Sequence, residues 1–338
     1  TAKKTDVGFE LGLFHRIKLS ADYFKEKREG IYIQQQSIPS VVGINVTQYV
    51  NLGKMQNQGI DMTLEYEQQV NDELYISGRG NFTFNRNKVL YDDKPSQQWP
   101  YLNDVGFPMD QHRGLVAIGL FESEKDIANS PTQTFGPVRP GDIKYRDIDG
   151  NGIIDSNDRV PMGYTTIPEI NYGFGLSVGY KGVDASFFFQ GSGRQSFWLD
   201  LKKITPFLDG DAGDNDQDNL LGQNAVLDVI ANSYWSENNR NPYAFWPRLA
   251  NQTVENNNQT STWFMQDATF LRLKSVEIGY TVPRDLVKKF KVQNLRFYVS
   301  GTNLLCWSKF KLWDPEMAGN GLGYPVQRVI NVGLNLGF

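Results

Sequence analysis

Apolar and polar side chains alternate with a period of two in many separate segments of the chain. The alternation is clearest at the end, where the apolar set is Val326, Ile330, Val332, Leu334, Leu336 and Phe338. It recurs at 170–180 and at 60–66. Successive side chains of a β-strand point to opposite faces, so this period predicts strands. We count about ten such strands, each near the ~9–11 residues that cross a bilayer when tilted.

The connections between these strands are expected to alternate in length. Short turns are predicted at 15–16, 71–72, 181–182 and, slightly longer, 283–294. Long polar excursions are predicted at 30–55, 91–110, 122–167, 194–266 and 306–325. Short turns on one side and long loops on the other are typical of a transmembrane barrel. The predicted fold is therefore all-β, a transmembrane antiparallel β-barrel, and a soluble two-sheet sandwich with one wet face is the alternative.

Two details of the strands add expectations. Arg272 and Lys274 share a face with Val276 and Ile278, which predicts a bulge there or a strand that leaves the membrane. Four tyrosines near strand ends are expected to form interfacial girdles, namely Tyr172, Tyr180, Tyr280 and Tyr298.

Composition supports strands and removes several classes of function. The chain has 32 Gly, 16 Tyr and 21 Phe, a net charge of −4 and no basic stripe, which argues against nucleic acid as a partner. The single cysteine, Cys306, excludes an intrachain disulfide. The first residues show neither an initiator Met nor a signal peptide, so we expect a mature or internal segment. His15 and His112 have no nucleophile motif around them, and no enzyme is expected.

One loop has the residue spacing of an EF-hand-type calcium site. Counting from Asp147, side-chain oxygens fall at positions one, three, five, nine and twelve, and position seven contributes its carbonyl. These residues are Asp147, Asp149, Asn151, Ile153, Asp155 and Asp158. Gly152 at position six permits the sharp turn, and Asp at position twelve favours a weak, structural Ca²⁺ site. The alternative is a turn held by Asx hydrogen bonds without an ion. The acidic run at 209–218 is better explained as a solvated loop than as a second cation site.

Several stretches together resemble the C-terminal barrel region of SusC-like TonB-dependent transporters of Bacteroidota. They are PGDIKYRD at 140–147, DRVPMG at 158–163, PEINYGFG at 168–175, FFFQG at 187–191, DATFLRLK at 267–274, GYT at 279–281 and SGTNLL at 300–305. The resemblance extends over essentially all of residues 1–338, with an extracellular calcium-type loop at 140–163.

The resemblance implies a single-chain 22-stranded barrel in the outer membrane, of which this chain holds the C-terminal strands. A plug, a TonB box and the first barrel strands are expected to be absent from it. The resemblance further implies active import of a glycan, an oligosaccharide or a peptide, with a SusD-like surface lipoprotein as lid and TonB engaged through the missing N-terminal part. Trp198, Trp235 and Trp246 are candidate substrate or lid contacts, and Phe338 is the candidate signal for membrane assembly.

Two other functions fit the same residues. A passive porin or adhesin barrel would share the strand pattern but would lack a plug and a TonB box. A secreted calcium-dependent carbohydrate-binding β-protein would share the Asp147 loop and the tryptophans, and would stay in aqueous buffer without detergent.

Overall fold

The computed structural model describes residues 1–38, 40–43, 46–207 and 224–338. The acidic run at 209–218 therefore lies outside the described residues. No helix among the described residues is both long and apolar enough to cross a membrane.

The first four strands form an antiparallel meander. β1 (Ala2–Leu13) pairs with β2 (Ile17–Gln34), which pairs with β3 (Tyr49–Asn71), which pairs with β4 (Leu74–Tyr91). β3 has 23 residues, and β2 and β4 have 18 each. These lengths exceed the ~9–11 residues that cross a bilayer. The polar half of β3 precedes Ile60, so the surplus lies on the side opposite the tight turn at 72–73.

A long excursion, residues 92–169, follows β4 and forms small sheets of its own. β5 (Arg113–Gly114) pairs with β10 (Val160–Pro161), β6 (Ala117–Leu120) with β8 (Ile143–Tyr145), and β7 (Thr132–Gln133) with β9 (Ile153–Ile154). The excursion also holds helix α1 (Glu124–Ala128) and 3-10 turns at Pro100–Leu102 and Ser156–Asp158.

The chain then returns to the main sheet. β11 (Ile170–Tyr180) pairs with β4 and with β12 (Val183–Gly193). A second excursion, 194–269, contains β13 (Ser196–Trp198), α2 (Leu201–Ile204), α3 (Asp228–Asn232) and β14 (Met265–Asp267), with β13 paired to β14.

Three more strands complete the described sheet. They are β15 (Phe270–Thr281), β16 (Asn294–Ser308) and β17 (Val329–Gly337), and helix α4 (Arg284–Val287) lies between the first two. Further 3-10 turns occupy Ser40–Val42, Lys288–Phe290 and Pro315–Met317. Within the described ranges this gives one 9-stranded antiparallel sheet, in the order β1-β2-β3-β4-β11-β12-β15-β16-β17.

The predicted alternation of loop lengths is confirmed. The connections at 14–16, 72–73, 181–182 and 282–293 lie on one side of the sheet. Those at 35–48, 92–169, 194–269 and 309–328 lie on the other side. We call these the turn side and the loop side. Every neighbouring pair of strands in the 9-stranded sheet is antiparallel, so each connection reverses the direction of the chain, and short and long connections stay on opposite sides.

One predicted strand of the main sheet, between residues 110 and 122, was wrong. The predicted excursions 91–110 and 122–167 are a single excursion, because the apolar segment between them does not join the main sheet. Leu115, Leu120 and Phe121 are instead at most 2% exposed and pack inside the loops. This explains why the described sheet has 9 strands and not about ten.

One face of the sheet is apolar and open to the surroundings. Among the described residues no second sheet lies over it, and Phe9 is 55% exposed, Phe174 44% and Val332 81%. Other exposed members of this face are Leu64, Leu176, Ile278, Phe297, Val299 and Leu334. In a water-soluble sandwich these side chains would be the core. The exposure contradicts the sandwich and fits a surface that contacts lipid.

The predicted irregularity in β15 is a bulge. Relative to β12, the register shifts between Leu273 and Ser275, which leaves Lys274 as the extra residue. The register with β16 shifts at the same place. The shift places Arg272 on the polar face, opposite Gln190. Tyr298 also lies on the polar face, beside Arg296 and opposite Gly333, so its assignment to a lipid-facing girdle was wrong.

Candidate functional site

The two longest excursions fold into one body on the loop side. Their buried apolar side chains form a single cluster, to which the last long loop adds Phe310. The first excursion contributes Leu115, Leu120, Ile143, Tyr145 and Ile154, and the second contributes Phe197, Leu199, Ile204, Ile230, Trp235, Ala244, Trp246 and Phe264. We call these packed excursions, as far as the structure describes them, the loop body. A shared core makes the loop body a folded unit and not a set of independent loops.

A buried polar network also joins the two excursions. The Asp142 carboxylate, which is fully buried, accepts hydrogen bonds from the Asn257 side chain at 2.8 Å and from the Arg139 backbone at 2.8 Å, and pairs with Arg248. Because a buried carboxylate is costly unless it is paired and hydrogen-bonded, this site depends on residues from both excursions.

Two further buried amides extend this network. The Gln133 amide donates to Asn256 Oδ1 at 2.6 Å, and the Asn256 amide donates to the carbonyl of Ile143 at 2.9 Å. The hydroxyl of Tyr145 donates to the carbonyl of Asn256 at 2.7 Å, and burial raises the pKa of this tyrosine well above its ordinary value. The amides of Gln133 and Asn256 and the hydroxyl of Tyr145 thus have hydrogen-bond partners across the contact between the excursions, which favours a rigid loop body.

An ion pair attaches the last long loop to the sheet. The Arg272 guanidinium, 2% exposed, lies 2.6 Å from Asp314 and 2.8 Å from Glu316. The bulge at Lys274 turns Arg272 toward these carboxylates, which follow β16 in the 309–328 loop. The pair therefore determines how this loop leaves the sheet.

The structure brings part of the predicted calcium loop together. Carboxylate oxygens of Asp147, Asp149 and Asp158 lie within 4.8 Å of one another. Asp158 is fully buried and accepts from the backbone of Ile148 at 2.7 Å and of Asp155 at 2.8 Å. Three converging carboxylates repel one another unless a cation or donors balance them, so the donor set suits a hard cation.

The remaining loop positions have other partners. Asp155 caps the 3-10 turn at Ser156–Asp158, where it accepts from the backbone of Asn157 at 2.7 Å. Asn151 Oδ1 accepts from the backbone of Ile153 at 2.7 Å. The backbone N–H of Gly152 lowers the pKa of the Asp147 carboxyl below its ordinary range, and burial opposes this only in part. The loop is thus ordered by Asx-type hydrogen bonds, as the alternative interpretation expected, and it also presents three converging carboxylates.

Strand pairing and a hydrogen bond connect the 147–158 loop to the loop body. β9 begins at Ile153, pairs with β7, and places Gln133 next to the buried amides. On the other side, the Tyr101 hydroxyl donates to the carbonyl of Asn157 at 2.8 Å. The 147–158 loop is therefore attached directly to elements that pack in the shared core.

The three candidate tryptophans are largely inside the loop body. Trp235 is 5% exposed and Trp246 4%, so neither offers a free ring face to a large ligand. Trp198 is half-buried, donates from its indole to the carbonyl of Ser261 at 2.9 Å and packs against His112. His112 Nε2 lies 3.0 Å from the carbonyl of Ser196, as expected for a hydrogen-bonded histidine.

A cavity of about 210 Å³ opens beside the core of the loop body. Its apolar wall contains Leu201, Trp246 and Phe264, and its polar side contains Arg248 and Glu255. Trp246 is the candidate tryptophan that lines it. The shared core itself could not be read from periodicity, because its members come from segments more than 100 residues apart, as Leu115 and Phe264 show.

The polar face of the main sheet carries its own charges. Near the turn side, the Arg296 guanidinium pairs with Asp184 on β12 and, at 2.6 Å, with Glu277 on β15. Further along, the Arg79 guanidinium stacks on Phe188 at 5.0 Å. Charged groups along the face opposite the lipid-facing residues are typical of a wet barrel interior.

Comparison with known proteins shows similarity to the β-barrels of TonB-dependent receptors. Residues 1–136 match the family described as TonB dependent receptor-like, beta-barrel. TonB-dependent receptor P26 of Formosa agariphila is 28% identical and is matched over 100% of this chain and 34% of its own length. TonB-dependent receptor SusC of Bacteroides thetaiotaomicron is 22% identical over 98% of this chain and 31% of its own length. This chain thus spans about a third of its relatives, in their C-terminal part.

Solved structures agree on the fold. The RagAB peptide transporter superposes with a TM-score of 0.70 at 21% identity, over 99% of this chain and 35% of that chain. The RagAB peptide importer in its open-open state gives 0.71 at 21% identity, over 100% of this chain and 34% of that chain. Together with the exposed apolar face and the alternating connections, these matches show that the chain has the fold of a TonB-dependent receptor β-barrel domain, and its sequence is similar to SusC-like members of that group.

Proposed function

We propose that the chain forms wall, loops and mouth of an outer-membrane importer that uses TonB to take up nutrients, and that it is not an enzyme. Its cargo is a glycan, an oligosaccharide or a peptide; the peptide is favoured by the likeness to the RagAB peptide transporter. A SusD-like lipoprotein covers the loop side, and TonB acts through parts of the receptor outside this chain.

The open apolar face of the sheet carries this proposal. A band of exposed side chains such as Phe174 (44%) and Val299 (50%) has to be covered by lipid, because water would leave it unstable. The opposite face bears the ion pairs of Arg296 and borders the interior through which cargo passes. The loop body lies on the loop side, where cargo and lid would meet the receptor.

The test is uptake by cells that carry the complete receptor with its partner lipoprotein. Labelled oligosaccharides and labelled peptides are supplied separately, with and without a protonophore, and a receptor deletion strain is the control. We expect receptor-dependent accumulation of one cargo class that the protonophore abolishes. Uptake that survives the protonophore would support a passive porin, and no receptor-dependent uptake of either class would refute the importer.

We also propose that the 147–158 loop binds Ca²⁺ as a structural ion. The ligands would be the side chains of Asp147, Asp149, Asn151, Asp155 and Asp158 and the carbonyl of Ile153. The three converging carboxylates support the site, and the ion would supply positive charge that holds the exposed loop against β9. The short Asp at the last position favours a weak site of the extracellular kind, with a dissociation constant of about 10⁻⁴–10⁻³ M.

Calcium binding is tested on the complete receptor in detergent. Ten millimolar Ca²⁺ should stabilise the loop body by about 1–3 kcal/mol relative to EDTA, and should slow proteolysis within 147–158. The double variant Asp147→Asn, Asp149→Asn should lose this response. Asp110→Asn, which removes an exposed carboxylate of the same excursion, should keep it. Equal proteolysis with Ca²⁺ and EDTA in the unaltered receptor would leave only the Asx-stabilised turn.

A further inference from the structure

The connection at 282–293 is the longest on the turn side, and it is strongly basic. It contains Arg284, Lys288, Lys289 and Lys291 but one carboxylate, Asp285, which gives four positive charges minus one, a net of +3. All four basic residues are exposed. Among the described residues, the ion pairs of the structure involve none of these four. We call residues 282–293 the cationic turn.

The neighbouring turns do not share this charge. The turn at 72–73 is acidic, and its Glu73 lies 3.3 Å from Lys181 of the next turn. The first turn, at 14–16, contains one arginine, Arg16, and one histidine, His15. The positive charge of the turn side is therefore concentrated at one place on the rim, between β15 and β16.

An apolar strip runs along the sheet up to this turn. Tyr280 pairs with Phe297, which pairs with Leu334 on β17, and these side chains are 43%, 50% and 52% exposed on the face assigned to lipid. Deeper in the membrane the strip continues through Ile278 and Val299. The strip thus covers β15, β16 and β17 directly beside the cationic turn.

The orientation of α4 joins the turn to this strip. Val287 is 5% exposed and packs inward, whereas its neighbour Leu286 is 61% exposed. A short amphipathic segment that offers a free leucine next to lysines is suited to the interface of a bilayer, where apolar groups enter the acyl region and ammonium groups reach the headgroups.

We propose that the cationic turn and the adjoining strip bind an anionic phospholipid of the leaflet on the turn side. The phosphate would lie among Lys288, Lys289 and Lys291, and the acyl chains would follow Tyr280 and Phe297. An acidic protein would match the charge but would not explain an exposed apolar strip that runs on from it. The inference rests on the proposed membrane location, and it adds a specific lipid partner to it.

The experiment uses the complete receptor in detergent, titrated with phosphatidylglycerol or with phosphatidylcholine of the same acyl chains, and counts bound lipid by native mass spectrometry. We expect a clear preference for phosphatidylglycerol. Each basic residue near an anionic lipid changes the affinity about fivefold. A triple variant should therefore bind phosphatidylglycerol roughly 100-fold more weakly; it combines Lys288→Gln, Lys289→Gln and Lys291→Gln. Leu286→Ser should weaken both lipids.

The matched control removes three lysines from the loop side, as Lys125→Gln, Lys309→Gln, Lys311→Gln, all exposed. It should keep the preference. Equal losses in the two triple variants would overturn the proposal, as would full displacement of the lipid by soluble glycerol phosphate, which would indicate a plain phosphate site. A retained preference for phosphatidylglycerol in the turn-side triple variant would also overturn it. Insertion of the receptor into vesicles, measured in parallel, separates this outcome from failure of the membrane assignment.

Discussion

Neighbouring residues at the middle of β11 offer a direct test of which face meets lipid. Leu176 lies on the apolar face, opposite Phe187 of β12, and is 37% exposed. Ser177 lies on the polar face, between Ser77 and Ser186. Arginine at either position has the same size, charge and strand propensity. The two variants therefore place the same guanidinium in two different media, and Leu176→Arg also removes an apolar side chain from the face assigned to lipid.

The expected destabilisation by Leu176→Arg depends on how deep Leu176 lies in the apolar band of the membrane. Leu176 is four residues from Tyr180 at the turn-side end of β11, or about 13 Å along the strand at ~3.3 Å per residue. With a tilt of about 40°, it lies roughly 10 Å inside an apolar band about 25 Å tall. Near that midplane, Leu176→Arg should cost about 2–4 kcal/mol. Ser177→Arg faces the wet side and should cost at most about 1 kcal/mol.

The assay is urea titration of the complete receptor folded into lipid vesicles, with the folded fraction read from electrophoretic mobility. The cost of about 2–4 kcal/mol for Leu176→Arg corresponds to a roughly 30-fold to 1,000-fold change in the folding equilibrium, against at most about fivefold for Ser177→Arg. Equal costs for the two variants, or a larger cost for Ser177→Arg, would refute the assignment of the faces. The same result would remove the main support for the importer.

Two further predictions concern the loop side. Arg272→Met leaves the carboxylates of Asp314 and Glu316 unpaired and should destabilise the 309–328 loop by about 3 kcal/mol, seen as faster proteolysis there. Adding Asp314→Asn and Glu316→Gln should restore part of the loss, and no change in proteolysis would contradict the role of the pair. The second concerns pH. Burial raises the pKa of Asp126, but the ion pair with Lys144 at 2.7 Å and the hydrogen bonds from the Glu122 backbone and Ser130 together outweigh it, so the pKa is lowered on folding. The pair should therefore stabilise the loop body above the unfolded carboxyl pKa of ~3.9 and lose this effect as the pH falls through the lower folded value, a dependence that Asp126→Asn should remove in thermal unfolding. An unchanged pH profile in that variant would contradict this assignment.

Much of the sheet could be predicted because the two faces of a membrane-barrel strand differ in polarity. This difference appears in the sequence as alternation of apolar and polar residues. Alternation at 170–180 and around Met62 gave the strands and the face that each side chain occupies. The basic residues of β15 broke the pattern, and the bulge at Lys274 is the resulting irregularity. Turn positions were readable because tight connections leave few residues between two alternating runs.

The loop side was less predictable, because its contacts are long-range. The apolar segment around Leu115 and Leu120 has the composition of a strand, yet it pairs with β8 of its own excursion and donates backbone hydrogen bonds to Thr260 and Pro242 of the second. Periodicity contains no information on these partners. The buried pair of Asp142 and Asn257 is separated by more than 100 residues and has no local motif. Spacing did identify Asp147, Asp149 and Asp158, because the ligands of a cation loop are close in sequence.

The joint core of the two excursions has a consequence for how such receptors diversify. A change of length or sequence in one excursion alters the surface on which the other is packed, so recombination of a single one would expose apolar residues such as Ile143 or Phe264. Exchange of both excursions as a pair, or substitution at their outer rims, is expected to keep this core covered. Chimeras between relatives should be designed with both crossovers in the strands that flank this paired unit.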